Sequence, residues 1–528
     1  MIVFSFTEDN LQCAALEKLP SAYDGVISIQ SEDTLKDTSK TQTSISFDVE
    51  NKVVILRSAI GNPAPLFWGW KENELIVADS ASVVLSMIKN SSCIDEKDFD
   101  KVGLIESMLF DGPLSERTLF DRVKKVQCAE KVELILAEKK AVKTWRWLPK
   151  IQTNSELSNS EIESLAKHHL ARLMEKVRVD DVVLPVTGGL DSRLLAALLR
   201  KGPENTKPIN TYTFQRGWSF ETWCAKKVAK KLSLKHLTFN LDSRCYKDFA
   251  KKVVRNSGGM ITGMHTHGIY CCEELLPDTL KNLPRIFGYF GDPITGAMTE
   301  IVEDGMKLST PQAIFEKYRS SLYPQLVEIY KDEIISDLNL TYDAFCESAS
   351  LAHTFHEFWK IQQRQNNLIT HLFHYHRTHM GVSVIEPFID EDFINFFLSM
   401  PFEHRLNRGM FKKTSKLLFP EVFSLTSMHF SSGSILAKIE QLFEKLESVA
   451  NKISPTQEVL LSPFRYEQHQ KNLQNYLSDD VAAGVKIMTK IFSVPSVDIR
   501  FPLWRYSGTE KECYRLAALS YLLESEIE

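Results

Sequence analysis

One short segment of this chain has the residue types and spacing to grip a phosphate. Residues 181–201 read DVVLPVTGGLDSRLLAALLRK. A short apolar run ends at Val186, two glycines follow, and a helix-forming composition begins near Leu190. Glycine lets the backbone turn sharply and approach a ligand closely. Free N–H groups at a helix start, together with the helix dipole, favour an anion. The hydroxyls of Thr187 and Ser192 add donors beside Gly188 and Gly189. Asp191 would repel a bare phosphate, so a carboxylate here implies Mg²⁺ bridging to phosphate oxygens. A Gly-Gly turn with Asp191 as a helix cap is the plainer account of the glycines alone, but the whole string after an apolar strand favours an anion site. The Walker-type Gly-x-x-x-x-Gly-Lys is not present here.

A second group of reactive side chains lies at His371, His374, His376 and His379. His371 and His374 are spaced i, i+3, and His376 and His379 form a second such pair on another helix face. A shared zinc site is therefore not expected, and no His-Glu-x-x-His pattern occurs. A histidine is a natural base at neutral pH, and the alternative is a packing or surface role. The nine cysteines are odd in number and form no Cys-x-x-Cys pair, which points to free thiols in a reducing compartment.

The elements that must hold the loop follow from periodicity. Apolar residues recur at helical spacing from Ile162 to Lys176. Next come a strand over Asp181–Val186, a helix over Leu190–Lys201, a strand over Ile209–Phe214, a helix over Glu221–Leu232 and a strand over His236–Leu241. That alternation predicts an α/β unit with a parallel sheet and crossover helices. Beyond residue 310 the pattern is mainly helical, over Pro311–Leu322, Phe355–Met380, Asp392–Met400 and Ile435–Ile453. The first 145 residues or so are β-rich, with short segments at Thr43–Asp48, Lys52–Arg57 and Glu74–Asp79 and a hairpin strand at Val132–Leu136. The polar stretch Gln152–Glu161 marks a boundary, dividing the chain into residues 1–150 and 151–528. More than one domain is expected, because single cores stop growing near about 250–300 residues.

The net charge of −5 gives no general electrostatic reason to bind nucleic acid or an anionic membrane. Lys226, Lys227, Lys230 and Lys231 read as one solvated helix face. No run of 18 apolar residues exists, so no membrane span is expected. The opening MIVFSFTEDNLQ lacks a basic leader and a long apolar stretch, so a signal peptide is not expected either. A cytoplasmic location follows as an expectation.

The loop string resembles the [Ser/Thr]-Gly-Gly-x-Asp-Ser motif of the ATP-pyrophosphatase superfamily. TYTFQRGWSFETWCAKKVAKKLSLKHL (residues 211–237) resembles the second strand and helix of asparagine synthetases and their relatives. FGYFGDPITGA (Phe287–Ala297) resembles their second glycine–acid loop, and GVSVIEPFIDEDFINFFLSMP (Gly381–Pro401) a stretch late in their synthetase domain. The motifs occur in the family's order. The resemblance implies ATP as cofactor, held by Val186, Thr187, Gly188, Gly189, Asp191, Ser192, Gly288 and Gly291 with Phe214 at the adenine, and Mg²⁺ on Asp191 and Asp292. It implies a substrate carboxylate that attacks the α-phosphorus of ATP, and an amine that then displaces AMP.

The N-terminal part is similar to the family's glutaminase domain. RSAIGNPAPLFWGWKENELIVADS (Arg57–Ser80) and DGPLSERTLFDRVKKVQ (Asp111–Gln127) carry that likeness. The expected fold is thus a degenerate glutaminase-like β-sandwich domain followed by an α/β parallel-sheet ATP-pyrophosphatase domain with a helical C-terminal part. Glutamine-using members carry a nucleophilic cysteine after Met1, where this chain has Ile2. Cys13 is the nearest thiol and has no terminal amine beside it. The same loss is found in relatives that make β-lactams, carbapenams and lasso peptides. The implied partners are a small-molecule or peptide carboxylate, with a homodimer or pathway proteins as further candidates.

Two departures bear on the chemistry. Tyr289 stands where asparagine synthetases have Glu, which implies either the catalytic part that Tyr plays in the cyclising relatives or an aromatic wall. The helix expected to carry its partner acid has none, and His371 falls closest to that place. Relatives also carry an Arg-x-Lys segment whose Lys contacts the activated phosphate. The matching stretch Ser424–Ser434 has no Lys or Arg, leaving Lys412, Lys413, Lys416, Lys438, Arg193 and Arg377 as substitutes. An amide ligase or cyclase leads; an ammonia-dependent asparagine synthetase and a non-catalytic nucleotide-binding partner subunit are the alternatives.

Overall fold

A computed structural model gives the architecture. It describes residues 3–7, 27–31, 43–59, 64–145, 157–177, 181–201, 209–215, 219–297, 309–319, 323–348, 355–427, 474–493 and 510–523, with single positions between 438 and 449. Ile2, Cys13, the boundary near residue 150 and most of the Ile435–Ile453 helix lie outside them.

Among the described residues the first part holds nine strands. These are β1 (Val3–Phe6), β2 (Ile27–Ser31), β3 (Thr43–Asp48), β4 (Val53–Arg57), β5 (Phe67–Lys71), β6 (Glu74–Ala78), β7 (Lys124–Lys125), β8 (Glu130–Ile135) and β9 (Lys140–Trp145). They form a four-stranded sheet ordered β1-β6-β5-β7 and a five-stranded sheet ordered β2-β3-β4-β8-β9. All pairings are antiparallel except β2 with β3. Strand alternation decides what each face buries. Trp68, Leu75 and Val77 of the first sheet pack against Phe47, Val54, Leu56 and Leu134 of the second. Phe67, Ile76 and Ala78 point the other way, under α1 (Ala81–Lys89) and α2 (Lys101–Phe110).

The second part opens with α3 (Asn159–Lys176), started by a capping box between Ser158 and Glu161. This box lies inside the polar stretch Gln152–Glu161, where the sequence leads one to expect a boundary. Then come β10 (Val183–Pro185), α4 (Asp191–Lys201), β11 (Asn210–Gln215), α5 (Phe220–Lys231) and β12 (Lys235–Asn240). Two short strands, β13 (Arg285–Ile286) and β14 (Val384–Ile385), complete a five-stranded sheet ordered β12-β11-β10-β13-β14. Every pair in it is parallel. The mixed α/β class and the parallel sheet are as the alternating pattern predicts. β10 is flanked by β11 on one side and β13 on the other, so the direction of winding reverses there. In open parallel sheets that reversal leaves a crevice at the carboxyl ends of the strands.

The later helices cover the sheet. The expected helix over Phe355–Met380 is interrupted: Phe355–Arg364 is α-helical, Gln365–Ile369 is a π-helical turn, and Thr370–Thr378 is α-helical again. The two parts share one continuous apolar core, in which Phe67, Ile105 and Leu119 meet Tyr375, Tyr514 and Leu522. Polar links cross the same seam. Lys125 Nζ, also held by Pro113 O of its own part, donates to Asn367 Oδ1 at 2.8 Å, and the Cys128 N–H donates to Asn366 Oδ1 at 2.7 Å. Among the described residues no helix is long and apolar enough to cross a membrane.

Candidate functional site

The crevice at the switch point is a cavity of about 430 Å³. Its floor is the Thr187–Ser192 loop between β10 and α4. The loop is braced by its own hydroxyls. Ser192 Oγ accepts from the Thr187 N–H at 3.0 Å, lies 3.0 Å from Thr187 Oγ1, and Thr187 Oγ1 accepts from the Gly189 N–H at 3.1 Å. Glu221, in the first turn of α5, accepts from the Gly188 N–H. Burial pushes the Glu221 carboxyl up to about 7, with that hydrogen bond opposing.

The opposite wall is the segment after β13. Gly288 and Gly291 lie against the start of α4. A Cβ on Gly288 would sit 3.2 Å from Asp191 Cβ and from the Ser192 nitrogen, and one on Gly291 would overlap Asp191 Oδ1. Both glycines are needed for that close approach, so the two loops converge. Phe290 between them has φ 75°, a conformation uncommon outside glycine. Tyr289 lines the cavity and packs on Phe287 and Phe373, with ring centroids at 5.6 and 5.9 Å. Burial raises its phenol pKa, against the opposing charge of Arg364, so the hydroxyl keeps its proton at neutral pH. Phe214, at the end of β11, lines the cavity and stacks on His267 at 5.8 Å.

The charges are paired in a way the sequence does not reveal. Arg408 Nη1 donates to Asp191 Oδ2 at 3.0 Å while Nη2 reaches Oδ1, a two-pronged pair. Its Nε donates to Thr295 Oγ1 at 2.8 Å, and the guanidinium lies 4.2 Å over the Phe411 ring. Arg364 Nη1 donates to Asp292 Oδ2 at 2.6 Å. Its Nε is buried without a hydrogen-bond partner. For Asp191, burial outweighs Arg408 and holds the carboxyl above the usual carboxylate range.

The structure brings together Val186, Thr187, Gly189, Asp191, Ser192, Phe214, Gly288, Tyr289 and Asp292 around one cavity, with Gly188 and Gly291 in the walls behind. It does not bring His371 there. Leu368 and Leu372 face the cavity from that helix, whereas His371 stacks on Phe67 of β5 at 5.9 Å, on the side toward the sandwich. Burial holds its imidazole well below the ordinary value. His376 is buried against Phe287, its pKa lowered to about 3. None of the six expected cationic substitutes lines the cavity. Arg193 is buried, donating to Leu425 O and Thr426 O at 2.9 Å, and Arg377 pairs with Glu386 at 2.7 Å. Lys413 pairs with Glu163 at the surface. Lys226, Lys227, Lys230 and Lys231 are exposed, as their spacing predicts. Among the described residues no group of three or more His, Cys, Asp or Glu could hold a metal by itself. Compared with protein-family models and with curated proteins, the chain gives no match.

Proposed function

We propose that the cavity binds ATP and that the protein uses it to activate a carboxylate for amide-bond formation, as an AMP-forming ligase or cyclase of the asparagine synthetase-like kind. The observation that carries the reading is the convergence of two loops at the switch point of a parallel sheet. One presents N–H groups and hydroxyls beside Asp191, and the other presents Asp292 and Tyr289. In that reading the β-sandwich part is a degenerate glutaminase-like domain and the remainder an ATP-pyrophosphatase domain.

The residues present fit a nucleotide. The cavity volume lies within the range typical of small-ligand sites, about 300–1,000 Å³. Phe214 offers an aromatic face beside the apolar side chains of Met264, Leu368 and Leu372. Arg364 Nε is a buried donor with no partner, which suits an anion. Asp191 and Asp292 would hold Mg²⁺ with phosphate and water oxygens completing its shell, and its chemistry would be to neutralise the departing pyrophosphate. Tyr289, keeping its proton, would donate a hydrogen bond to the developing oxyanion at the activated carbonyl. The carboxylate is that of a small molecule or peptide.

The test is thermal stabilisation by ATP with Mg²⁺, then pyrophosphate release with candidate carboxylates. Ligand at about 100 times its dissociation constant stabilises a fold by roughly 2.7 kcal/mol. The expected result is a Mg²⁺-dependent shift that Asp191→Ala and Asp292→Ala both abolish. No shift at millimolar ATP would sink the nucleotide reading. A second reading, a nucleotide-binding subunit without chemistry, is favoured by the ion pairs that occupy both carboxylates. An ATP shift without pyrophosphate release from any carboxylate would select it.

A further inference from the structure

We propose that Arg364 and Arg408 are the cationic grip for the β- and γ-phosphates, each held on a carboxylate until an anion takes it. This rests on the nucleotide reading above. Among the described residues they are the only lysines or arginines lining the cavity. They enter from different elements, Arg364 at the last position of the helix Phe355–Arg364 and Arg408 just before the helix Gly409–Leu418. Both reach acids of the two converging loops.

Their donor inventories differ. A guanidinium has five N–H donors in a fixed fork. Arg364 uses Nη1 on Asp292, and its buried Nε has no partner, so it holds unused donor capacity inside the site. Arg408 is tied at Nε to Thr295 and stacked on Phe411, so its position is fixed while Nη1 and Nη2 rest on Asp191. Residues 407 and 408 both have positive φ, at 53° and 60°. That backbone kink turns Arg408 into the cavity before the helix begins.

The charge balance couples the two events. Whatever neutralises Asp191 and Asp292 strips both arginines of their partners. Arg408 is buried, and a buried unpaired cation is costly, so it must find another anion, while Arg364, part-exposed at the cavity wall, is freed to turn to one. A di- or triphosphate tail offers planar pairs of oxygens that match the fork of arginine. AMP has only the α-phosphate and does not reach both arginines.

The experiment is calorimetric titration of the full-length protein with inorganic pyrophosphate, ATP and AMP. It compares the wild type with Arg364→Gln, Arg408→Gln and Asp191→Asn, with and without Mg²⁺. Loss of one charge-assisted contact is expected to weaken pyrophosphate and ATP by roughly 10- to 100-fold and to leave AMP within about 3-fold. In chelator, Asp191→Asn is expected to bind pyrophosphate more tightly than wild type, because Arg408 has lost its competitor. Loss of the Asp191 charge alone also tightens an anion, so the gain is assigned to Arg408 by the double variant Asp191→Asn/Arg408→Gln, in which most of it is expected to vanish; a gain that survives there overturns the role of Arg408. Arginine variants that bind pyrophosphate like wild type, or that lose AMP in parallel, overturn the assignment while leaving the nucleotide reading intact. If Arg408→Gln does not fold, the absence of tightening in Asp191→Asn overturns it. A wild type that binds neither ATP nor pyrophosphate overturns both.

Discussion

The bare α-carbon of Gly291 faces the carboxylate of Asp191 so closely that a methyl group there would come within 3.0 Å of Asp191 Cγ and of Phe388 Cε2. Neither neighbour is free to yield, since Asp191 is held by Arg408 and Phe388 is fully buried. Gly291→Ala is therefore expected to destabilise the fold by about 1–3 kcal/mol, the usual range for overpacking. It should also remove the ATP-dependent stabilisation. Gly288→Ala meets its neighbours at 3.2 Å and should be milder in both respects. Denaturant titration with and without ATP checks the order; a Gly291→Ala protein as stable and as ATP-responsive as wild type would refute it.

Truncating Asn366 removes the side-chain oxygen that accepts from the buried Cys128 N–H at 2.7 Å across the seam. Asn366→Ala should cost about 1–3 kcal/mol of unfolding free energy. A loss below about 0.5 kcal/mol would mean that water replaces the amide.

Stability should vary with pH in a way set by buried neutral groups. His236 and His356 are lowered to about 4, and His376 to about 3, chiefly by burial. Their depressed values mean that the unfolded chain takes up protons first as pH falls below about 6.5. The stability they contribute is present above that pH and is lost on acidification. Glu130 and Glu221 work against this. Burial raises each to about 7, so the folded chain keeps a proton that the unfolded chain releases, and stability falls as pH rises from about 4.5 toward 7. His169, His371, His374 and His379 are lowered as well, and Glu106, Asp191 and Glu386 raised, so among the described residues seven histidines against five acids give a net rise in unfolding free energy from pH 5 to 6.5. Glu221→Gln should steepen that rise, and a pH series of denaturant titrations measures both. A flat profile, or one unchanged in the variant, would contradict the assignment.

Tyr289→Phe separates chemistry from packing. The ring contacts with Phe287 and Phe373 survive the substitution, so ATP binding and melting temperature should stay near wild type. Amide formation should fall by roughly 10²-fold or more if the hydroxyl steadies the oxyanion. Unchanged turnover would leave Tyr289 as a wall.

Three strands of the parallel sheet and the Thr187–Ser192 loop were legible because local patterns carry them. The strands β13 and β14 are two residues each, too short to show a pattern, and the loop bearing Gly288, Gly291 and Asp292 was marked only by the resemblance. Arg408 was not legible, since it reaches Asp191 only through tertiary contact, from a residue 217 positions later in the chain. Its weak local signal is the Asn407-Arg408-Gly409 run before a helical stretch, composition that tolerates positive φ. Arg364 sits on a helix that could be foreseen, but which way it points depends on the π-helical turn beginning at the next residue. The turn is not what misplaced His371. Counting back from Gly381 runs through the regular helix Thr370–Thr378 and gives a position along the chain but not a helix face, and in the fold it is Leu368 and Leu372 that face the cavity.

That turn also makes chain length itself a constraint. Gln363, Asn366 and Asn367 look toward the sandwich, and Arg364, Leu368 and Leu372 toward the cavity. An α-helix advances about 100° per residue, so excising one residue from Gln365–Ile369 would rotate everything beyond it by about that angle. The shortened helix could keep its grip on one half of the molecule or its wall on the other, but not both. A sequence that retained every side chain named here and dropped one position in this turn would have lost the alignment between the seam and the cavity.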